Sequence, residues 1–143
     1  MTGGRVLLDT GPLVAILHRD DRAHQRCIEV FKTFQGVLLS TEPVLTEALY
    51  LLRGVPGGQR ACLEFFIRGA AVLVPATRKN LQRCQFLMMR YANVPMDFAD
   101  ATVVALGEEA GVREVFTLDR RGFETYRMEK RQTFRLWPAS GSM

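Results

Sequence analysis

Four acidic residues stand beside apolar positions that rarely tolerate charge: Asp9, Glu47, Asp100 and Asp119. Asp9 ends the run Val6-Leu7-Leu8, and Asp119 follows Val115-Phe116-Thr117-Leu118. Glu47 interrupts the apolar stretch Val44 to Leu52, and Asp100 lies just inside a helix start that reads on from Ala101 to Leu106. A carboxylate next to core positions needs something to offset its charge. Several converging on one spot would repel each other, and a hard divalent cation relieves that repulsion. The chemistry suggested is a magnesium or manganese site, and such sites most often act on phosphates.

Each acid also has a plainer reading. Asp9 precedes Thr10-Gly11-Pro12, where a turn aspartate bonds backbone N–H groups. Glu47 fits a narrow polar stripe with Thr46 and Tyr50. Asp97 and Asp100 suit the N-cap and N3 positions of a helix, where free N–H groups and the dipole favour carboxylates. Asp100 also shares a helix face with Val104 and so points inward. Thr117 lies two residues before Asp119, on the same strand face. There it would orient a ligand or its water, or serve only β propensity. Arg120 and Arg121 follow, to touch phosphate or to face solvent.

Other chemistries find little support. His18 and His24 have no spaced partner and no paired nucleophile. Gly54 to Gly58 (GVPGG) lacks the Lys-Ser/Thr of a phosphate-binding P-loop. No serine nucleophile elbow is present. Cys27, Cys62 and Cys84 are isolated and read as small core residues, not a disulfide framework or zinc site.

The elements that must position the acids alternate between strand and helix. Strands are expected at Arg5–Asp9, Val37–Ser40, Ala71–Val74, Val115–Leu118 and Thr133–Trp137. Helices are expected at Leu13–Leu17, Arg22–Phe34 with Asp21 as N-cap, and from a capping Thr41 to Arg53. Further helices fit Gln59–Ile67, Arg78–Tyr91 capped by Thr77, and Asp97–Ala110 closed by Gly111. A short helical or irregular segment covers Arg120–Tyr126. The strands are near-continuous apolar runs, the pattern of an α/β fold with a mostly parallel sheet covered on both faces. Ligands in such sheets bind beyond the carboxyl ends of the strands, where Asp9 and Asp119 fall.

The 143 residues suit one domain, read as 1–137, with 138–143 as a flexible tail. At 48% hydrophobic and 24% charged the chain can fold round a core and stay in solution. It has no membrane-spanning run and no secretory signal, so the cytoplasm is the expected compartment. The net charge is +4. Between Ala48 and Met96 the only acid is Glu64, against Arg53, Arg60, Arg68, Arg78, Lys79, Arg83 and Arg90. This is either a set of solvated helix faces or a rim that attracts phosphate backbones.

The segments Leu8-Asp9-Thr10-Gly11-Pro12-Leu13, Thr46-Glu47-Ala48, Met96-Asp97-Phe98-Ala99-Asp100-Ala101 and Phe116 to Phe123 together resemble PIN domains. They most resemble the small VapC-type toxins of bacterial toxin–antitoxin pairs. The resemblance spans about Val6 to Leu136 and implies a three-layer α/β/α sandwich with a mostly parallel sheet of about five strands. It implies that Asp9, Glu47, Asp100 and Asp119 hold one or two Mg²⁺ or Mn²⁺ ions, with Asp97 and Thr117 auxiliary. It further implies endoribonuclease activity on an RNA substrate, a homodimer, and a cognate antitoxin lying in a groove near the acids, for which Leu45 to Ile67 are the expected walls. Two rivals remain: a non-catalytic RNA- or partner-binding module, and an α/β phosphatase or phosphotransfer domain with Asp9 as acceptor.

Overall fold

The apolar run at the centre of the sheet becomes a strand because it is buried on both faces. In β1 (Arg5–Leu8) the side chains of Val6, Leu7 and Leu8 are all fully buried, with no solvent-facing alternation. The computed structural model describes residues 4–139. After β1 come α1 (Thr10–Leu17), α2 (His24–Thr33), β2 (Val37–Ser40), α3 (Glu42–Leu51), α4 (Gly58–Ile67) and β3 (Val72–Leu73). The second half adds α5 (Arg78–Arg90), α6 (Phe98–Ala110), β4 (Glu114–Phe116), α7 (Arg120–Thr125), a 3-10 turn (Glu129–Arg131) and β5 (Arg135–Trp137).

The strands form one sheet in the order β3-β2-β1-β4-β5, and every pairing is parallel. The chain steps outward from β1 to β2 and β3, then crosses back to β4 on the other side of β1. With right-handed crossovers, this reversal puts the helices of the two halves on opposite faces. It also opens a crevice at the carboxyl ends of β1 and β4, the place where open α/β sheets bind ligands. The register fixes the neighbours there: Leu7 pairs with Val115 and Leu8 with Phe116. The Asp9 N–H continues the ladder to the Phe116 carbonyl at 3.0 Å, so Asp9 stands beside Thr117.

Helix α6 carries Asp100 and must sit close to the sheet. Gly107 permits this, since a Cβ there would stand 2.8 Å from both Leu7 Cδ1 and the Val112 carbonyl. Gly111 ends the helix at φ +69°, in the left-handed region open to glycine. Helix α5 packs along α6, with Arg83 gripping Glu108 through two hydrogen bonds of 2.8 and 2.7 Å. All three cysteines are buried, as expected of core residues.

Local details depart from the sequence reading at several helix and strand ends. Helix α2 begins at His24, and Asp21 caps the preceding turn through the Ala23 N–H rather than the helix. Thr41 occupies the N-cap position of α3 but does not cap it; its hydroxyl pairs with Thr102 at 2.8 Å in the core. Helix α1 starts at Thr10, three residues early, because Pro12 is tolerated in a first turn, where no intrahelical N–H is required. Strands β3 and β5 are shorter than the apolar runs that announce them. Pro138, placed by sequence in the tail, is buried, and its carbonyl accepts from Arg120 at 2.9 Å. The rest of the tail, Ser140 to Met143, lies outside the described residues.

Candidate active site

Asp9 forms the floor of the crevice. It is 6% exposed, and its Oδ2 accepts a 2.7 Å hydrogen bond from the Thr117 hydroxyl. The same hydroxyl accepts from the Asp119 N–H at 3.0 Å. Thr117 therefore ties the acid after β1 to the acid that follows β4. Strand alternation is not what aligns Thr117 with Asp119, because β4 has ended and the chain has turned. Asp119 is instead the N-cap of α7, its Oδ1 accepting from the Gly122 N–H at 3.0 Å.

Asp100 enters from α6 through a reciprocal capping box. Asp97 Oδ1 accepts from the Asp100 N–H at 2.8 Å, and Asp100 Oδ2 accepts from the Asp97 N–H at 3.1 Å. The Tyr126 hydroxyl adds a second donor to that oxygen at 3.3 Å. Asp100 and Asp119 each accept their hydrogen bonds on a single oxygen, and Asp9 accepts from the Thr117 hydroxyl on Oδ2 and from the Thr10 backbone.

Electrostatics shows that the acids share a site. Burial raises Asp9 to about 6, with the charges of Asp119 and Glu47 adding to the rise and the Thr117 bond opposing it. Burial raises Asp100 to about 8, followed by the charge of Asp9. Tyr126 is also pushed up, first by burial and then by Asp100 and Asp119. Burial leads both shifts, and mutual repulsion among the acids adds to them, a repulsion that a cation would relieve.

The residues fit a hard cation, in an open manner. The acids, Thr117 and Tyr126 all offer oxygen, the donor that a hard cation prefers. Among the described residues no three His, Cys, Asp or Glu side chains close into a ready-made cage. Magnesium does not require one, since it keeps several waters and uses one or two carboxylates.

Beside the acids lies a groove of about 760 Å³. Glu47 and Asp97 stand on its wall with Thr46, Tyr50, Leu81 and Phe98. The polar stripe of α3 thus faces this groove. Of the segment Leu45 to Ile67, α3 lines this groove and α4 does not; its remaining sides come from the segment after β3, from α5 and from α6. Arg120 is occupied by Glu124 at 3.0 Å and by the Pro138 carbonyl, while Arg121 is exposed.

Sequence reading missed Tyr126 and Gly122. By sequence Tyr126 falls only at the end of a short segment, and the structure sets its ring in an aromatic cluster. Gly122 reads as a turn glycine, yet a Cβ there would run into Asp119 Oδ2 and stand 3.0 Å from the Tyr126 hydroxyl. The signal available was the spacing Asp119-Gly122-Tyr126, three and four residues apart along one helical face.

The known proteins that this chain resembles agree on the fold. Ribonuclease VapC26 of Mycobacterium tuberculosis is 25% identical over 124 residues, which cover 85% of this chain and 92% of that protein. The crystal structure of Mycobacterium tuberculosis VapC20, described as a Sarcin-Ricin loop cleaving toxin, superposes with a TM-score of 0.72 at 19% identity, covering 80% of this chain and 90% of that one. VapBC2 from Rickettsia felis, bound to a DNA fragment from its promoter, gives 0.63 at 12% identity, with 93% and 98% covered. A toxin–antitoxin complex from Klebsiella pneumoniae gives 0.63 at 15% identity, with 84% and 91% covered. The PIN domain family model matches residues 6–128, a span that holds all four acids, and the chain belongs to the PIN-domain family.

Proposed function

We propose that this protein is a metal-dependent endoribonuclease, the toxin of a toxin–antitoxin pair. The observation that carries the reading is the placing of Asp9, Asp100 and Asp119 round the crevice between β1 and β4, each anchored by hydrogen bonds to neighbouring elements. The similarity to Ribonuclease VapC26 supports RNA as substrate, and the likeness to toxin–antitoxin complexes supports an antitoxin partner.

In this reading Asp9, Glu47, Asp100 and Asp119 hold one or two Mg²⁺ or Mn²⁺ ions. When bound, the ion supplies charge to offset the phosphoryl oxygens and acidity to a water nucleophile. The chain's own residues do the rest. Thr117 keeps Asp9 and Asp119 at a fixed spacing, and the capping box with Asp97 keeps Asp100 on the crevice side of α6. Arg121, exposed beside the site, contacts the RNA backbone, with Arg120 braced behind it. The basic stretch from Arg53 to Arg90 supplies longer-range attraction. The apolar rim of the groove, with Tyr50, Leu81 and Phe98 exposed, is covered by protein, as a homodimer with an antitoxin requires. No helix among the described residues is long and apolar enough to cross a membrane, and we place the activity in the cytoplasm.

The test is cleavage of total cellular RNA by purified, partner-free protein with Mg²⁺, with Mn²⁺ and with EDTA. An Asp9→Asn, Asp100→Asn double variant runs beside it. Discrete metal-dependent cuts that vanish in the variant are expected. Folded protein that cuts no RNA with either metal would move the reading to a binding module.

A further inference from the structure

Tyr126 is 1% exposed, and its ring is locked by neighbours. Tyr91 meets it edge-on at 5.2 Å and Phe123 at 5.1 Å, and Phe123 in turn packs on Phe134 at 5.4 Å. A phenylalanine would serve that cluster equally well, and a buried hydroxyl is costly unless it is bonded. Among the described residues its hydrogen-bond partner is a single atom, Asp100 Oδ2 at 3.3 Å. The hydroxyl also shares the small space above Gly122 with Asp119 Oδ2. It therefore stands between the acid from α6 and the acid that begins α7.

We propose that Tyr126 is a positioning residue of the acidic site, its hydroxyl holding Asp100 by Oδ2 so that Oδ1 stays free for the cation. The capping N–H of Asp97 alone leaves the carboxylate able to rotate about that one contact. A second donor on the same oxygen, fixed by an immobile ring, removes that freedom. At 3.3 Å the contact is at the long end for an O–H···O bond. Outer partners that orient a ligand typically change metal affinity by 10- to 100-fold.

This proposal rests on the metal-nuclease reading, and one experiment separates the two. Wild type, Tyr126→Phe and Tyr91→Phe are stripped with EDTA and titrated with Mn²⁺, and kcat and KM are measured on an RNA that the wild type cuts. Tyr91→Phe removes a hydroxyl from the same cluster, one that accepts from the Arg127 N–H and touches no acid of the site. Tyr126→Phe is expected to melt cooperatively, to bind Mn²⁺ about tenfold more weakly and to lose kcat with little change in KM for RNA. Tyr91→Phe is expected to keep the wild-type Mn²⁺ affinity. Unchanged Mn²⁺ affinity in Tyr126→Phe, an equal loss in Tyr91→Phe, or a Tyr126→Phe protein without a cooperative melt each overturns the proposal. A wild type that binds no Mn²⁺ sinks the nuclease reading and takes this proposal with it.

Discussion

Thr117 donates its hydroxyl proton to Asp9 at 2.7 Å, joining two residues 108 positions apart across the seam between β1 and β4. The seam lies where the strand order reverses, so no local sequence relation could bring them together. Thr117 is fully buried, and its hydroxyl also accepts from the Asp119 N–H.

Thr117→Val keeps the shape and removes the bridge. Asp9 then loses a hydrogen bond that opposes its raised pKa, so its carboxyl moves further above about 6. We expect RNA cleavage to fall by about 10- to 100-fold and the Mg²⁺ requirement to rise. Thr117→Ser should retain most of the rate. Rate against Mg²⁺ concentration for the three proteins checks this, and a Thr117→Val protein as fast as wild type would refute it.

Gly122→Ala brings a methyl group against Asp119 Oδ2 and the Tyr126 hydroxyl. Gly122 is not in the left-handed region, so the effect is steric and local to the acids. Activity should drop by at least about tenfold while stability falls by about 1–3 kcal/mol, the cost of overpacking a tight site. Denaturant melts beside cleavage assays separate the two. Equal activity in the variant would mean that Asp119 moves freely.

Asp9 and Asp100 have folded pKa values of about 6 and about 8, both above the ordinary 3.8. The folded state therefore holds protons that the unfolded chain has released. That stability is complete below about pH 4 and is lost as pH rises through about 6 and then about 8. In EDTA the thermal midpoint should fall across that window. Mg²⁺ or Mn²⁺ should restore it most at the alkaline end, where both carboxylates are ionised. Asp9→Asn should flatten the acid part of the decline. A metal-free midpoint that rises between about pH 5 and 8 would contradict the assignment.

Asp97 acts through the cap of α6. Asp97→Asn keeps a good N-cap, whereas Asp97→Ala removes it and should cost about 1 kcal/mol. Activity should follow the cap, with the alanine variant losing more than the asparagine variant because Asp100 is no longer held by that box. A ranking in which both lose activity equally, with unequal stability, would point to direct contact between Asp97 and the cation.

The strand and helix order was legible because it depends on local chemistry. Runs such as Val6-Leu7-Leu8 and Val37-Leu38-Leu39, bounded by turn residues, became strands as expected, and Thr77 and Asp97 cap their helices, each in a box with the residue three on. The four acids were visible because each is polar where its neighbours are apolar. Their convergence was not. It depends on the sheet order β3-β2-β1-β4-β5, which places β1 beside β4 and is set by long-range packing. Thr41 departed from its expected role because Thr102, 61 residues on, is its partner in space, whereas Asp21 departed locally, its carboxylate taking the Ala23 N–H two residues on. By its ring Tyr126 is core. Only the folded chain decides that its hydroxyl ends on Asp100, because a hydrogen bond joins atoms by distance and direction, and sequence carries neither across 26 residues.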